Sequence, residues 1–319
     1  MIPLGLFFTV FNSVAALLAL GALGYWAISR GGLEEAALGS ITHIAIDIAV
    51  PALLFVSIMD HFSPRSGWWQ LLVAGLAFTA YTLLLALLFS SLAARATRRE
   101  FLVSLAFQNA IFFPIVIIGA VYGTASSYLA DLFIFTLLFA PIVYTTVGLF
   151  FRRGDHAEVQ IHWGLLFNPI LVATLLALGL RFLHVERVSL GFLYTALQML
   201  AGLSLPLLML LLGGHIYLNI RHEQGFNWRE NLKFALVKGL AFPLITLGLL
   251  LWLRPAYNIA LLVLLQSTLP PITAIPSLVR RSGGNDALAA QFITTSFIAS
   301  LLTIPLMLTL FKVLFNSAS

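Results

Sequence analysis

The sequence predicts an all-α membrane protein of ten transmembrane helices, arranged as two inverted five-helix repeats in which broken helices 4 and 9 cross. Three observations carry that prediction. The chain is 61% hydrophobic and only 9% charged over 319 residues. Its apolar runs fall into ten segments of spanning length. The first five share an ordered set of motifs with the last five.

The composition decides the solvent. A soluble domain carries about 25% charged residues, so most of this surface meets lipid. A spanning helix takes roughly 20 apolar residues. With short connections, ten of them use up the chain. No room remains for a soluble catalytic domain, and any function has to lie within the bundle. The chain has no cysteine, which excludes disulfides, thiolate metal sites and a thiol nucleophile. A net charge of +5 would suit nucleic acid, but in an apolar chain basic residues collect in short loops and set orientation. No nucleic-acid partner is expected. The first thirty residues lack a basic leader and a small-residue cleavage site, so they read as a retained span.

Spans 1 to 5 are expected at roughly Leu4 to Ser29, Ala36 to Met59, Trp68 to Ala94, Phe101 to Tyr122 and Ser127 to Phe151. A polar cytoplasmic linker, 152–164, follows. Spans 6 to 10 are expected at roughly Leu165 to Leu183, Leu190 to Ile220, Leu232 to Leu253, Ile259 to Val279 and Ala287 to Phe315. With the N-terminus outside, eleven Lys and Arg residues fall on the inner side and five on the outer. That bias predicts both termini outside. Trp68, Trp69, Trp163, Trp228 and Trp252 sit near span ends, as an interfacial aromatic belt would.

The two halves, 1–151 and 165–319, repeat. Leu17-Leu18-Ala19-Leu20-Gly21 recurs as Leu175-Leu176-Ala177-Leu178-Gly179. Pro51 answers Pro206, Gly75-Leu76-Ala77-Phe78 answers Gly239-Leu240-Ala241-Phe242, and Pro141 answers Pro305. Asn109 with Pro114 answers Gln266 with Pro271. An odd number of spans per repeat turns the second copy upside down. Inverted repeats are a transporter signature, with substrate held near the midplane where helices are broken.

The breaks are legible as proline. Proline removes a helical hydrogen bond and clashes with the preceding turn. In hydrocarbon such a break persists only where protein or a wet cavity covers it. Span 4 carries Gln108-Asn109 before Pro114, and span 9 carries Gln266 before Pro270 and Pro271. If both unwind and cross, half-helix N-termini meet at the midplane, where their free N–H groups suit a carboxylate. Asn109 and Gln266 can donate and accept beside them. The expected substrate site therefore comprises Asn109, Pro114, Gln266, Pro270, Pro271 and Lys238.

Ionisable groups inside spans are few. Lys238 is costly in mid-span and is read as functional, offering charge to an anion or bracing the crossover. The alternative is that it snorkels to the inner interface. His43 and Asp47 lie four apart on one helical face. They could relay a proton or simply fix packing. Asp131 lies near the outer end of span 5, where an acid also complements the helix dipole. These three are the coupling candidates. Gly213-Gly214 reads as close helix packing, and His215 as interfacial. No acid cluster suggests a metal, no glycine-rich loop a phosphate, and no serine motif a hydrolase. The chain is therefore not read as an enzyme, and neither metal nor cofactor is expected.

At this level the sequence resembles the auxin efflux carrier family. The resemblance rests on Val50-Pro51-Ala52-Leu53-Leu54-Phe55, on Gln108-Asn109-Ala110-Ile111-Phe112-Phe113-Pro114 and on Asn168-Pro169. Leu205-Pro206-Leu207 with Gly213, Lys238 before Pro243, Pro270-Pro271, and Gly283-Gly284-Asn285-Asp286 complete it. The short chain, without a large central loop, looks like a prokaryotic member. The resemblance implies a scaffold of helices 1, 2, 6 and 7 that forms a homodimer. It also implies a mobile transport domain of helices 3 to 5 and 8 to 10, working as an elevator in a bacterial or archaeal cytoplasmic (inner) membrane. It implies a small organic anion as substrate, with Asn109 and Gln266 on its carboxylate and Lys238 as the family lysine. Span 3 lacks the acid that accompanies this lysine in plant relatives, which leaves Asp131 as the substitute. Ile272-Thr273-Ala274 stands where many bacterial members have asparagines, so substrate identity does not carry over. Two alternatives stay open: a sodium-coupled symporter resembling the bile acid carriers, and a non-transporting membrane receptor.

Overall fold

A computed structural model describes the chain except residues 1–3, 33, 65–66, 152–168, 222–224 and 318–319. Among the described residues there are helices and no strand. The interior is lined by Leu, Ile, Val, Phe and Ala, while large apolar side chains such as Leu84, Leu88, Met199 and Trp252 lie exposed around it. That inversion of the soluble pattern is what lipid contact requires. Among the described residues, six helices are long and apolar enough to cross a membrane, and further apolar helices are shorter. The linker, Asn168, Trp163 and the start of span 6 lie outside the described residues.

Helix α1 runs Leu4–Ser29. Helix α2 is composite: Glu35–His43, a widened π turn Ile44–Ala49, then Val50–His61. Proline explains the widening. In an α pattern the Pro51 ring would press on the Asp47 carbonyl. A wider turn relieves that clash, and Ser204 of the seventh helix donates to the Ala49 carbonyl at 2.7 Å. Helix α3 covers Trp69–Phe89. Helices α6, α7 and α10 cover Pro169–Phe182, Gly191–Arg221 and Asp286–Ser317. Helix α8 repeats the device of α2: Trp228–Leu236, a π turn Val237–Ala241, then Phe242–Leu253, with Pro243 set to clash with Gly239.

The remaining helices are divided. Helix α4 divides into α4a (Arg98–Ala106) and α4b (Phe112–Tyr122). Helix α9 divides into α9a (Tyr257–Thr268) and α9b (Ile275–Arg281). Both breaks lie where the prolines place them. Helix α5 runs as one apolar stretch, Ser127–Phe151, as expected, with a turn at 136–138 that divides it into α5a (Ser127–Phe135) and α5b (Phe139–Thr146). Pro141 supplies the reason, because its ring would press on the Leu137 carbonyl within that turn. Its counterpart Pro305 stays inside a continuous helix.

The buried apolar residues form two clusters that meet at these breaks. One holds the cores of α4b, α5a and α9a, and the other those of α4a, α5b and α9b. Helices α1 and α7 approach closely on glycine. A Cβ at Gly213 would lie 1.6 Å from the Gly21 carbonyl oxygen, and one at Gly24 2.1 Å from that of Leu210. The reading of Gly213 as a packing residue agrees with this geometry. Trp69, Trp228 and Trp252 are exposed, whereas Trp68 packs edge-on against Phe182, beside Phe62.

Candidate functional site

The two breaks pair with each other. The Asn109 N–H donates to the Pro270 carbonyl at 2.8 Å, and the Ile272 N–H to the Phe107 carbonyl at 3.0 Å. Gln108 and Pro271 thus form an antiparallel bridge. Unwound backbone in an apolar interior needs partners for each freed group, and here each broken helix supplies some for the other.

Side chains complete the repair. Pro114 has no N–H, so the Ala110 carbonyl loses its helical donor. The Gln266 side-chain amide donates to that carbonyl at 2.7 Å. Its oxygen in turn accepts from the Gln108 amide at 3.3 Å. Because the Asn109 N–H is drawn to Pro270, the Leu105 carbonyl also loses its helical donor. The Lys238 amine donates to it at 3.3 Å and lies 5.0 Å from the Phe242 ring centroid. Lys238 is 1% exposed, so it reaches the end of α4a and does not snorkel. The π turn of α8 holds it there.

Beside the crossover lies a cavity of about 500 Å³. Thr42, Ile46, Asp47 and Leu54 of α2 form one wall, and Pro169 to Leu171 with Thr174 of α6 adjoin it. The opposite walls come from the α4 break at Asn109 to Phe112, the α5 turn around Thr136 to Pro141, and Ile272 to Ala274 before α9b. Tyr144, Ser277 and Arg280 also line it, with Ser277 and Arg280 exposed. Helix α4b starts at this wall. Its first N–H groups have no helical acceptor and lie at the positive end of the helix dipole.

Asn109 is the expected site residue that fits this place best. It lines the cavity and is buried, and its side-chain amide has no hydrogen-bond partner among the described residues. An amide in that position offers two donors and an acceptor to a ligand. Gln266, Lys238, Pro114, Pro270 and Pro271 do not line the cavity. They shape the crossover from behind.

The coupling candidates separate. Asp47 lines the cavity, 43% exposed at its side chain, and pairs with His43 at 2.9 Å. His43 is exposed and does not line the cavity. Asp131 accepts from the Asn258 amide at 2.9 Å, tying α5a to α9a away from the cavity. His215 is a residue whose side chain lies outside the described set.

Thr136, Tyr144, Ser277 and Arg280 are among the cavity residues that sequence does not single out. Arg280 had counted only toward orientation, and its Nε donates to Asp286 at 2.6 Å. The phase of Pro141 and Tyr144, one turn apart in the same span, was the available signal for α5.

No curated protein matches the chain. A family model described as membrane transport protein matches residues 9–308. That match covers the crossover, the cavity and both flanking halves. A bundle of apolar helices around paired proline breaks, matched over nearly its whole length, belongs to the auxin efflux carrier family of membrane transport proteins.

Proposed function

We propose that the protein is a secondary transporter of small organic anions such as carboxylates, and that the cavity at the crossover is its binding site. The observation that carries this is Asn109: a buried, unpartnered amide on the cavity wall beside the start of α4b. A carboxylate there would accept from the Asn109 amide and from the first N–H groups of α4b. Phe112, Phe133, Phe139 and Tyr144 offer the ligand an apolar surface.

Gln266 and Lys238 are assigned to holding the crossover, since both spend their donors on backbone carbonyls. The prolines supply the breaks. Asp47 would oppose an anion in the same cavity unless a proton or a cationic group offsets it. That charge conflict is the reason to keep His43 and Asp47 as a coupling pair.

The two halves act as inverted repeats in this reading, with helices α1, α2, α6 and α7 as a dimeric scaffold. Helices α3 to α5 and α8 to α10 move as an elevator. The cavity lies between the two groups, so sliding one past the other would expose the site alternately. In this reading both termini lie outside a prokaryotic cytoplasmic membrane, as the Lys and Arg bias supports, and the cavity would open inward.

The test is binding and counterflow in purified, reconstituted protein with a panel of mono- and dicarboxylates. A carboxylate should bind and exchange, and Asn109→Ala should weaken it. Saturable binding without flux would instead assign the fold to ligand sensing.

A further inference from the structure

In an elevator a proton carried across the membrane rides on the moving domain, whereas a pair on the scaffold can respond only to the state that faces it. His43 and Asp47 lie on α2, in the proposed scaffold. Asp131 is already held by Asn258. A third acid lies within the moving group and is used by nothing described above. Glu100, in the first turn of α4a, is 5% exposed and forms no ion pair among the described residues. Its Oε1 accepts the Asn285 N–H at 2.9 Å, while its buried Oε2 has no partner.

Two further buried polar atoms continue from it toward the crossover. Ser104 Oγ and Gln108 Oε1 are also without partners. Residues 100, 104 and 108 recur at the spacing of one helical face, about 6 Å apart along α4a for the first pair. Buried polar atoms left open by protein are where water belongs. An acid at the far end of such a row has a route for a proton toward the crossover.

Among the described residues, the charged groups around α4a are paired elsewhere or exposed, Arg229 and Arg281 among the exposed. Helix α9b brings Arg280 and Arg281, and α10 brings Asp286 and Lys312. Arg280 pairs with Asp286. Helix α8 brings Arg229, Glu230, Lys233 and Lys238. Glu230 pairs with Lys233, and Lys238 takes the Leu105 carbonyl. Helix α3 and the turns Ser90–Leu92 and Val147–Phe151 bring no Asp, Glu, Lys, Arg or His. On α4a itself, Arg98 donates to Ser90, and Arg99 is exposed.

We infer that Glu100 is a proton-binding site of the transport domain, joined to the crossover by a hydrated track along Ser104 and Gln108. This rests on the elevator reading above. The step is proton transfer alone: Oε2 takes a proton from water in the track and later returns it to water. A carboxylate holds the Asn285 N–H more strongly than the neutral acid does. Loading the proton therefore loosens the loop behind α9b, whose residues line the cavity.

Infrared difference spectroscopy of the purified full-length protein across pH tests this without any substrate. The wild type should show the C=O stretch of a buried carboxylic acid, lost as pH rises. Glu100→Gln should abolish that band, while Asp47→Asn and Asp131→Asn keep it. Ser104→Ala should keep the band and shift its midpoint. A missing wild-type band, a band that survives Glu100→Gln, or one removed by Asp47→Asn would overturn the proposal. So would a midpoint that moves when sodium replaces choline, which would mark a sodium site. If Glu100→Gln does not fold, an unchanged midpoint in Ser104→Ala overturns it. Failure of carboxylate binding would sink the anion site and leave this titration standing.

Discussion

The Gln266 side-chain amide donates at 2.7 Å to the Ala110 carbonyl, the one that Pro114 deprives of its helical donor. One half of the chain thus repairs the break in the other, across 156 residues of sequence. Replacing Gln266 with Leu should leave Ala110 and Gln108 without partners in the interior. An unsatisfied buried group costs about 1–3 kcal/mol. Thermal unfolding in detergent should fall accordingly, and Gln266→Glu, which has no donor when ionised, should be no better. Unfolding that stays at the wild-type temperature would remove the repair from the account.

Lys238 serves the other end of the same break. Lys238→Met keeps the length of the side chain but strands the Leu105 carbonyl. The loss expected is again about 1–3 kcal/mol of stability. Because Lys238 does not line the cavity, ligand affinity in the folded fraction should change far less than in an Asn109 variant. A large fall in affinity with unchanged stability would place Lys238 on the substrate.

For Asn109 the expectation is reversed. Its amide has no protein partner among the described residues, so Asn109→Ala leaves nothing behind unsatisfied. Melting should stay close to wild type. Carboxylate affinity should fall by about tenfold or more, the scale of one lost hydrogen bond to a charged group. Asn109→Asp should be worse, since it sets like charges together. Isothermal titration against the best ligand of the panel reads both.

Helix α1 meets α7 at backbone distance, and that contact tolerates no side chain. Gly213→Ala would put a methyl 1.6 Å from the Gly21 carbonyl oxygen, so the helices have to separate. Overpacking of this kind costs typically 1–3 kcal/mol and sometimes more. At Gly179 a Cβ has nothing within 4 Å, and Gly179→Ala should be neutral or slightly stabilising. Equal melting of the two variants would contradict the packing described.

Much of this architecture can be read from residues in order. Prolines 114, 270 and 271 mark the breaks in α4 and α9, and both lie there. The turn inside α5 is less legible, since Pro141 carries the same signal but Pro305 sits in an unbroken helix. Proline permits a break, and neighbouring helices decide whether one forms. Of the residues singled out in sequence, Asn109 and Asp47 line the cavity, while Gln266 and Lys238 do not. Their polarity inside a span signals importance, but not whether their donors serve a ligand or a carbonyl.

Alone, the sequence determined the solvent, the order of the helices and where α4 and α9 break, because hydropathy and proline act through local chain geometry. Only the tertiary structure decided what the polar residues at those breaks do. A hydrogen bond depends on which donor reaches which acceptor. Gln266 and Ala110, Lys238 and Leu105, and Glu100 and Asn285 meet from positions 133 or more residues apart. The same packing left the Asn109 side-chain amide without a partner among the described residues, beside an open cavity.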